Sequence, residues 1–157
     1  MTVSTISDGT IFPEVINGFD KYTEYEFQVL AFTSHGGGPK SSVLVERTME
    51  DEPSYGPANV SFTEVNKTIL NISWAPLPRE HSNGVIILYN VKEELLSRDT
   101  RQKRSPLSSK SVNTTNTLIL LNGLLLCSQY QVSVRAYTKV GPGPYSPPVD
   151  LPRTSGK

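Results

Sequence analysis

Cysteine and histidine are scarce in this sequence. The 157 residues contain one cysteine, Cys127, so no disulfide can form within the chain and a hydrophobic core must hold the fold together. No basic neighbour or paired histidine points to a nucleophile, and we expect the Cys127 thiol to be buried and inert. The two histidines, His35 and His81, lack the spacing of a metal-ligand set. The sequence therefore predicts neither a metal site nor a bound cofactor.

An excess of one charge and a long apolar run are also missing. The 15 Lys and Arg residues balance 15 Asp and Glu residues, and nothing gathers the basic residues on one face as nucleic-acid binding requires. The longest apolar run, Leu118 to Cys127, is interrupted by Asn122 and Gly123 and is far shorter than the roughly 20 residues of a spanning helix. We expect no nucleic-acid partner and no membrane contact by this segment.

Catalytic signatures are absent as well, and the first residues do not predict a signal peptide. The sequence has no Gly-x-Ser-x-Gly, phosphate-binding loop or His-Glu-x-x-His motif. Gly36-Gly37-Gly38 predicts a hairpin turn, because no helix follows it. The first residues have neither the basic start nor the apolar core of a signal peptide. The sequence predicts no enzyme in this segment, and an extracellular location would require the chain to be part of a longer protein.

The sequence does contain an internal repeat, with an offset of about a hundred residues, the size of a seven-stranded sandwich domain. Residues 25–33 match residues 130–138, and in both copies apolar and polar residues alternate with the period of two that is typical of a half-buried strand. The dipeptide Asn-Gly precedes both blocks and a Gly/Pro-rich turn follows both. Each block therefore predicts a strand, a turn and a returning strand.

Only the second copy has strand patterns upstream of this block. Apolar alternation or turn signals predict strands near residues 57–62, 69–74, 85–91 and 117–121, whereas residues 95–116 are too polar for a core. We therefore predict a complete domain over residues 57–154 and the C-terminal half of another over residues 1–48. The acidic, proline-containing stretch 49–56 predicts a linker. Because half of its core partners are missing, the first copy is expected to be loosely packed or paired with another molecule.

The motifs of the second copy resemble the fibronectin type III pattern. They are Trp74 in Leu-Asn-Ile-Ser-Trp-Ala-Pro, Asn83-Gly84 with Tyr89 and Val91, Leu124 with Tyr130, Val132 and Val134, and Gly141-x-Gly143-Pro144. The resemblance implies an antiparallel seven-stranded Ig-like β-sandwich, with one complete and one partial copy. It also implies that Trp74 fills the core, and that Tyr130 and its equivalent Tyr25 make a corner contact with nearby backbone. The structural core candidates are Trp74, Tyr89, Leu124, Tyr130, Val132, Val134 and Tyr25. The sequence departs from the pattern at Glu93, where an aromatic is frequent, and at Leu126-Cys127, where Pro-Gly is common.

Four Asn-x-Ser/Thr sequons are glycosylation candidates: Asn59, Asn66, Asn71 and Asn113. Composition alone would give about two. The predicted strands place Asn59 and Asn71 opposite the apolar residues, and Asn66 and Asn113 fall in predicted turns, so all four are expected to face solvent. The alternative interpretation is ordinary polar surface.

The basic stretch between Arg98 and Ser105 is a candidate processing loop. Its Arg101-Gln102-Lys103-Arg104-Ser105 segment looks like the site of a furin-type protease, which needs an accessible loop. The alternatives are a patch that binds anionic glycans and a solvated basic loop.

The resemblance implies an extracellular binding or spacer module of a cell-surface receptor or adhesion protein, with relatives such as receptor-type tyrosine phosphatases and neural adhesion receptors. Partners would be other proteins, as cell-surface or matrix ligands, and any catalytic domain would lie outside this chain. Two alternatives stay open, because fold does not fix function. They are a cytoplasmic muscle-type scaffold module and an accessory module of a secreted enzyme, although Tyr137 and Tyr145 are too few for a carbohydrate-binding platform.

Overall fold

The computed structural model describes residues 15–97 and 106–154. They belong to two units, which divide between Thr48 and Met49. The described part of the first unit contains the strands β1 (Glu24–Phe27), β2 (Phe32–Thr33), β3 (Gly36–Gly37) and β4 (Leu44–Arg47). β1 pairs antiparallel with β4, and β2 forms a short hairpin with β3.

The second unit is an antiparallel sandwich of two sheets. Its described residues form β5 (Ser61–Asn66), β6 (Ile69–Ser73), α1 (Arg79–Ser82), β7 (Leu88–Ser97), β8 (Ser108–Thr114), β9 (Leu118–Asn122), β10 (Gln129–Tyr137) and β11 (Val149–Asp150). One sheet has the strand order β5-β6-β9 and the other has the order β11-β10-β7-β8. The predicted all-β, seven-stranded antiparallel fold class is therefore confirmed.

The core of the second unit lies between the two sheets, because apolar side chains occupy alternate positions on the central strands. Leu70 and Ile72 of β6 are buried on the face that meets the other sheet. Trp74 packs edge-on against Tyr89, with ring centroids 5.5 Å apart. The core candidates of this unit are all buried: Trp74, Tyr89, Leu124, Tyr130, Val132 and Val134.

Each unit has a tyrosine that ties a turn to the strand following it. In the second unit the Leu125 amide donates a 2.9 Å hydrogen bond to the Tyr130 hydroxyl. In the first unit the Asp20 amide donates a 3.0 Å bond to the Tyr25 hydroxyl. In both units the donor lies five residues before the tyrosine, so the sequence repeat is also a repeat of hydrogen bonding.

Cys127 is exposed, and the expectation of a buried thiol was wrong. The residue lies in the turn before β10 with a positive φ of 54°. Its N–H donates to the Thr154 carbonyl at 2.8 Å, and its carbonyl accepts from the Arg153 guanidinium at 3.2 Å. These bonds fix the main chain of the turn, which presents the thiol to solvent.

The polar stretch after Leu95 contains a strand that the sequence did not predict. β7 continues to Ser97, and β8 pairs with it along its length, from Tyr89↔Thr114 to Leu95↔Ser108. β8 lies at the edge of its sheet, and most of its residues are exposed. A strand exposed in this way has no apolar alternation to show in the sequence.

Residues 49–56, predicted as a linker, are held against the second unit. The Asp51 amide donates to the Asn83 carbonyl at 2.8 Å, and the Asp51 carbonyl accepts from the Thr138 hydroxyl at 2.9 Å. Pro53 is buried, and a side chain at Gly56 would collide with the backbone of Ser146. The stretch therefore belongs structurally to the second unit and braces the loop between β10 and β11.

The first unit has an aromatic cluster but exposes apolar side chains around it. Phe19 lies 4.5 Å from Tyr25 and 5.5 Å from Phe27, measured between ring centroids. The predicted alternation continues to Val29, but β1 ends at Phe27, and Val29 and Phe32 are 75% and 72% exposed. In the second unit the apolar residues of the equivalent strand, β10, are buried in the core. Loose packing of the first unit, or its pairing with another molecule, stays a prediction.

Candidate interaction surface

The outer face of the four-stranded sheet carries a group of stacked cations and aromatic rings. The sequence places Lys92 on β7 and Arg135 on β10 one residue away from the buried Val91 and Val134, and strand alternation turns them to the outer face. The loop between β10 and β11 brings Tyr145 onto the same face. We call Lys92, Arg135, Tyr137 and Tyr145 the cation–π stack.

The ring of Tyr145 interacts with two cations. Its centroid lies 4.8 Å from Lys92 Nζ and 4.5 Å from Arg135 Cζ, and Arg135 Cζ also lies 5.1 Å from the Tyr137 ring. A cation near an aromatic face is attracted by the ring quadrupole, by about 0.5–1 kcal/mol at exposed sites and more where water is excluded. The stack therefore holds three strand residues and one loop residue in a fixed arrangement.

Hydrogen bonds extend this arrangement to the edge strand. The Tyr145 hydroxyl donates to Asn90 Oδ1 at 2.8 Å, and Asn90 Nδ2 donates to Asn113 Oδ1 on β8 at 2.7 Å. Asn90 is buried, so its amide is satisfied by these two partners rather than by bulk water. The loop, β7 and β8 are thus joined through one buried amide.

Glu94 balances one of the positive charges beside the stack. Its carboxylate accepts from Gln131 Nε2 at 2.6 Å and lies 3.0 Å from Lys92 Nζ. The hydrogen bond from Gln131, followed by that from Lys92, lowers the pKa of Glu94. With Glu94 ionised, the charge of Lys92 is balanced by a carboxylate 3.0 Å away, and Asp150, the register partner of Gln131, places a second carboxylate on the same face.

A groove of about 250 Å³ runs between β8 and β9, at the open edge of the sandwich. Its walls are mainly apolar, with Val112 and Leu120 among the residues at its sides, and Glu93 and Lys110 also line it. Partial burial raises the pKa of Glu93, an effect that the charge of Lys110 opposes. Glu93, which departs from the family pattern, thus lies half-buried on the face of β7 that otherwise packs the core.

The four sequons occupy different structural settings. Asn59 is exposed with a positive φ of 54°, and lies before β5 rather than on a strand. Asn66 is exposed at the end of β5, where its Oδ1 accepts from the Thr68 amide at 2.9 Å. Asn71 lies within β6, on the face opposite the buried Leu70 and Ile72, and is half-buried there. Asn113 is exposed on β8, not in a turn.

Three other kinds of site were considered: the processing loop, a metal site and a membrane span. The processing-loop residues Arg101, Lys103, Arg104 and Ser105 lie outside the described residues. Within residues 15–97 and 106–154, no group of His, Cys, Asp or Glu could hold a metal ion. Nor does any helix in those ranges have the length and apolar character to cross a membrane.

The sequence pattern does not predict the cation–π stack. In the sequence, Tyr137 and Tyr145 stand out only as too few aromatic residues for a carbohydrate-binding platform. The outward positions of Lys92 and Arg135 on their strands were readable from the alternation, but the contact of Tyr145 with both depends on the path of the β10–β11 loop, which no local pattern determines.

Comparison with known proteins establishes the family. The model of the fibronectin type III domain matches residues 55–151. The chain belongs to the fibronectin type III family. This confirms the resemblance noted in the sequence, and the matching family is not a catalytic one.

Relatives match across both units. Protein sidekick-1 of Gallus gallus is 34% identical over 140 residues, and cell adhesion molecule Dscam2 of Drosophila melanogaster is 32% identical over 148 residues. These matches cover 88% and 94% of this chain but only 6% and 7% of those proteins. The structure of the rat CD45 extracellular region, domains d3–d4, is similar with a TM-score of 0.67. The match covers 96% of this chain and 76% of the CD45 chain. Because the identity is 14%, it supports the fold alone.

Proposed function

We propose that this segment is an extracellular binding and spacer module of a cell-surface adhesion or receptor protein. The observation that carries the proposal is the match to Dscam2, a cell adhesion molecule, over 94% of the chain. The match extends over both units of this chain, which supports a tandem arrangement of modules. The four sequons support passage through the secretory pathway.

The cation–π stack is the proposed contact face for protein partners. Tyrosine and arginine are enriched among the residues that contribute most to binding at protein interfaces, because they combine large apolar area with polar groups. The stack presents two tyrosines and an arginine that are already held in place, so little side-chain freedom is lost on binding. The guanidinium of Arg135 favours a partner with an acidic group opposite it.

The basic loop is proposed as a processing site. It connects β7 to β8, and a cut after Arg104 would leave both strands in place, because β7 pairs with β8 and with β10. The two fragments would separate under denaturing conditions and stay together in the native protein. In the uncut chain, anionic glycans are the ligand that this loop would recognise.

Intact mass after secretion from animal cells tests the cellular location. The full chain is secreted behind an added signal peptide and weighed with and without glycosidase treatment. Sugar on any of the four sequons, with or without a cut after Arg104, is the expected result. An unmodified, uncut chain would contradict the proposal and favour a cytoplasmic scaffold.

Binding of fluorescent tetramers to a panel of cell lines tests the contact face. Arg135→Ala should abolish staining on every line that the wild-type segment stains. Thr63→Ala, an exposed position on β5 of the other sheet, is the control and should leave staining unchanged. Equal staining by wild type and Arg135→Ala would refute the proposal that the cation–π stack is the contact face. It would not contradict the proposed extracellular location.

A further inference from the structure

The outer face of the three-stranded sheet has a sequon at its centre. β6 is the middle strand, and the register sets Asn71 between Thr63 on β5 and Leu120 on β9. Two residues along, Ser73 lies opposite Leu118 in the same way. Side chains at i and i+2 share a face of a strand, so both polar residues of Asn71-Ile72-Ser73 lie on the outer face while Ile72 is buried.

Two leucines are exposed beside this sequon. Leu118 and Leu120 are 52% and 51% exposed, and both lie on the outer face because their register partners Ser73 and Asn71 do. Leu120 is directly opposite Asn71, and directly opposed residues of neighbouring strands have Cβ atoms only about 4.5–5.5 Å apart. Leu118 is the diagonal neighbour of Asn71, at about 7–8 Å, which is still within reach of a large group attached to Asn71.

The side chain of Asn71 is partly accessible. Its Oδ1 is buried and has no hydrogen-bond partner among the described residues. The residue as a whole is only half-buried, so part of it meets solvent. Asn59, Asn66 and Asn113 lie respectively before β5, at its end and on the edge strand of the other sheet.

We propose that Asn71 carries an N-linked glycan whose first N-acetylglucosamine lies over Leu118 and Leu120. This inference rests on the proposed extracellular function, because the sugar is added in the secretory pathway. A bond forms between Nδ2 and C1 of the sugar, the C1–O bond of a polyprenyl-diphosphate oligosaccharide donor breaks, the diphosphate leaves with the electron pair, and Nδ2 loses one proton. The C–H groups of the sugar then cover apolar surface that water otherwise contacts.

The consequence is that the two faces of the sandwich have different roles. A glycan centred on β6 closes the three-stranded face to protein partners, since the sugar covers its middle. The four-stranded face keeps the cation–π stack accessible. The exposed leucines then belong to the glycoprotein's own surface instead of a docking site.

Glycopeptide mass spectrometry of the secreted full chain tests occupancy at each sequon. High occupancy of Asn71 is expected. Occupancy at Asn59, Asn66 or Asn113 with none at Asn71 would overturn this inference and leave the extracellular proposal standing. An absence of sugar at all four sequons would overturn both.

The position of the sugar is tested on protein trimmed by an endoglycosidase to one N-acetylglucosamine per site. Nuclear Overhauser contacts are expected between this sugar's protons and the methyl groups of Leu118 and Leu120, and their absence would refute the proposed placement.

The trimmed protein should bind less of an apolar-surface dye than Asn71→Gln, which lacks the sugar. Thr68→Ala, which removes the Asn66 sequon, is the control and should not raise dye binding. Adding Leu118→Ser and Leu120→Ser to Asn71→Gln should abolish the increase in dye binding that Asn71→Gln causes.

Discussion

Tyr22 and Cys127 occupy the same turn position in the two repeats, and both hold a left-handed backbone, with φ of 46° and 54°. Each lies three residues before the tyrosine that accepts a hydrogen bond from the turn, Tyr25 or Tyr130. The family commonly has glycine here, since glycine adopts this conformation without steric cost. Both units of this chain therefore place a side chain where the backbone does not favour one.

Cys127→Gly is expected to stabilise the second unit. A left-handed conformation costs a non-glycine residue roughly 1–2 kcal/mol, of which the greater freedom of glycine in the unfolded chain offsets about 0.4–1 kcal/mol. Trp74 is the only tryptophan, so its fluorescence during urea unfolding reports this unit. Cys127→Ala keeps a β-carbon and should show little gain. Equal stabilisation by both variants would mean that the sulfur, and not the backbone conformation, is responsible.

Tyr130→Phe is expected to destabilise the second unit by about 1 kcal/mol, the usual net contribution of a hydrogen bond. The substitution keeps the buried ring and leaves the Leu125 amide without its acceptor. Tyr25→Phe is the matched control, since it removes the equivalent bond in the first unit and should leave the Trp74 transition unchanged. An unaltered urea midpoint for Tyr130→Phe would show that water accepts the Leu125 hydrogen bond with no loss of stability.

Much of the second unit was predictable because its determinants are local. Period-two alternation identified the central strands, and Trp74 and Tyr130 marked the core and the corner by their motif context. The strand β8 was missed because an exposed edge strand needs no apolar side chains. The setting of Asn71 was only partly predicted, because alternation gives the face of a residue but not how closely its neighbours cover it.

Features that depend on chain path could not be predicted in the same way. The acidic stretch 49–56 has the composition of a linker, yet it is bound to distant segments, through the Asn83 carbonyl and the Thr138 hydroxyl. The contact of Tyr145 with Lys92 and Arg135 likewise depends on how the β10–β11 loop returns across the sheet. Such contacts between distant segments leave no periodic signal.

Two substitutions of Tyr145 separate the hydrogen bond from the stack. Tyr145→Phe removes the bond to Asn90 and should cost about 1 kcal/mol, while the ring still contacts both cations. Tyr145→Ala removes both interactions and should cost more, with faster amide exchange in the loop between β10 and β11. The measurements are urea unfolding followed at Trp74 and hydrogen exchange by mass spectrometry. Equal effects of the two variants would show that the ring contacts contribute nothing to stability.

The neighbouring residues Glu93 and Glu94 are expected to affect stability with opposite dependence on pH. Burial raises the pKa of Glu93 above its ordinary 4.5, so the folded protein holds this proton more tightly than the unfolded chain does. Below about pH 4.5 Glu93 is protonated in both states and the fold has its full stability. This stability is lost as pH rises from about 4.5 through the raised pKa. Glu93→Gln should raise the thermal midpoint at pH 7 and have little effect at pH 3.

Glu94→Gln is the matched variant with the reverse sign. The hydrogen bond from Gln131 and the nearby Lys92 lower the pKa of Glu94, so the ionised carboxylate stabilises the fold above the unfolded pKa and this stability is lost as pH falls through the lowered value. Glu94→Gln should therefore lower the midpoint at pH 7, and the difference from wild type should shrink in acid. Thermal unfolding of both variants between pH 3 and pH 7 checks this. A destabilising effect of Glu93→Gln at pH 7 would contradict this prediction. It would mean that attraction to Lys110 stabilises the Glu93 carboxylate by more free energy than burial costs.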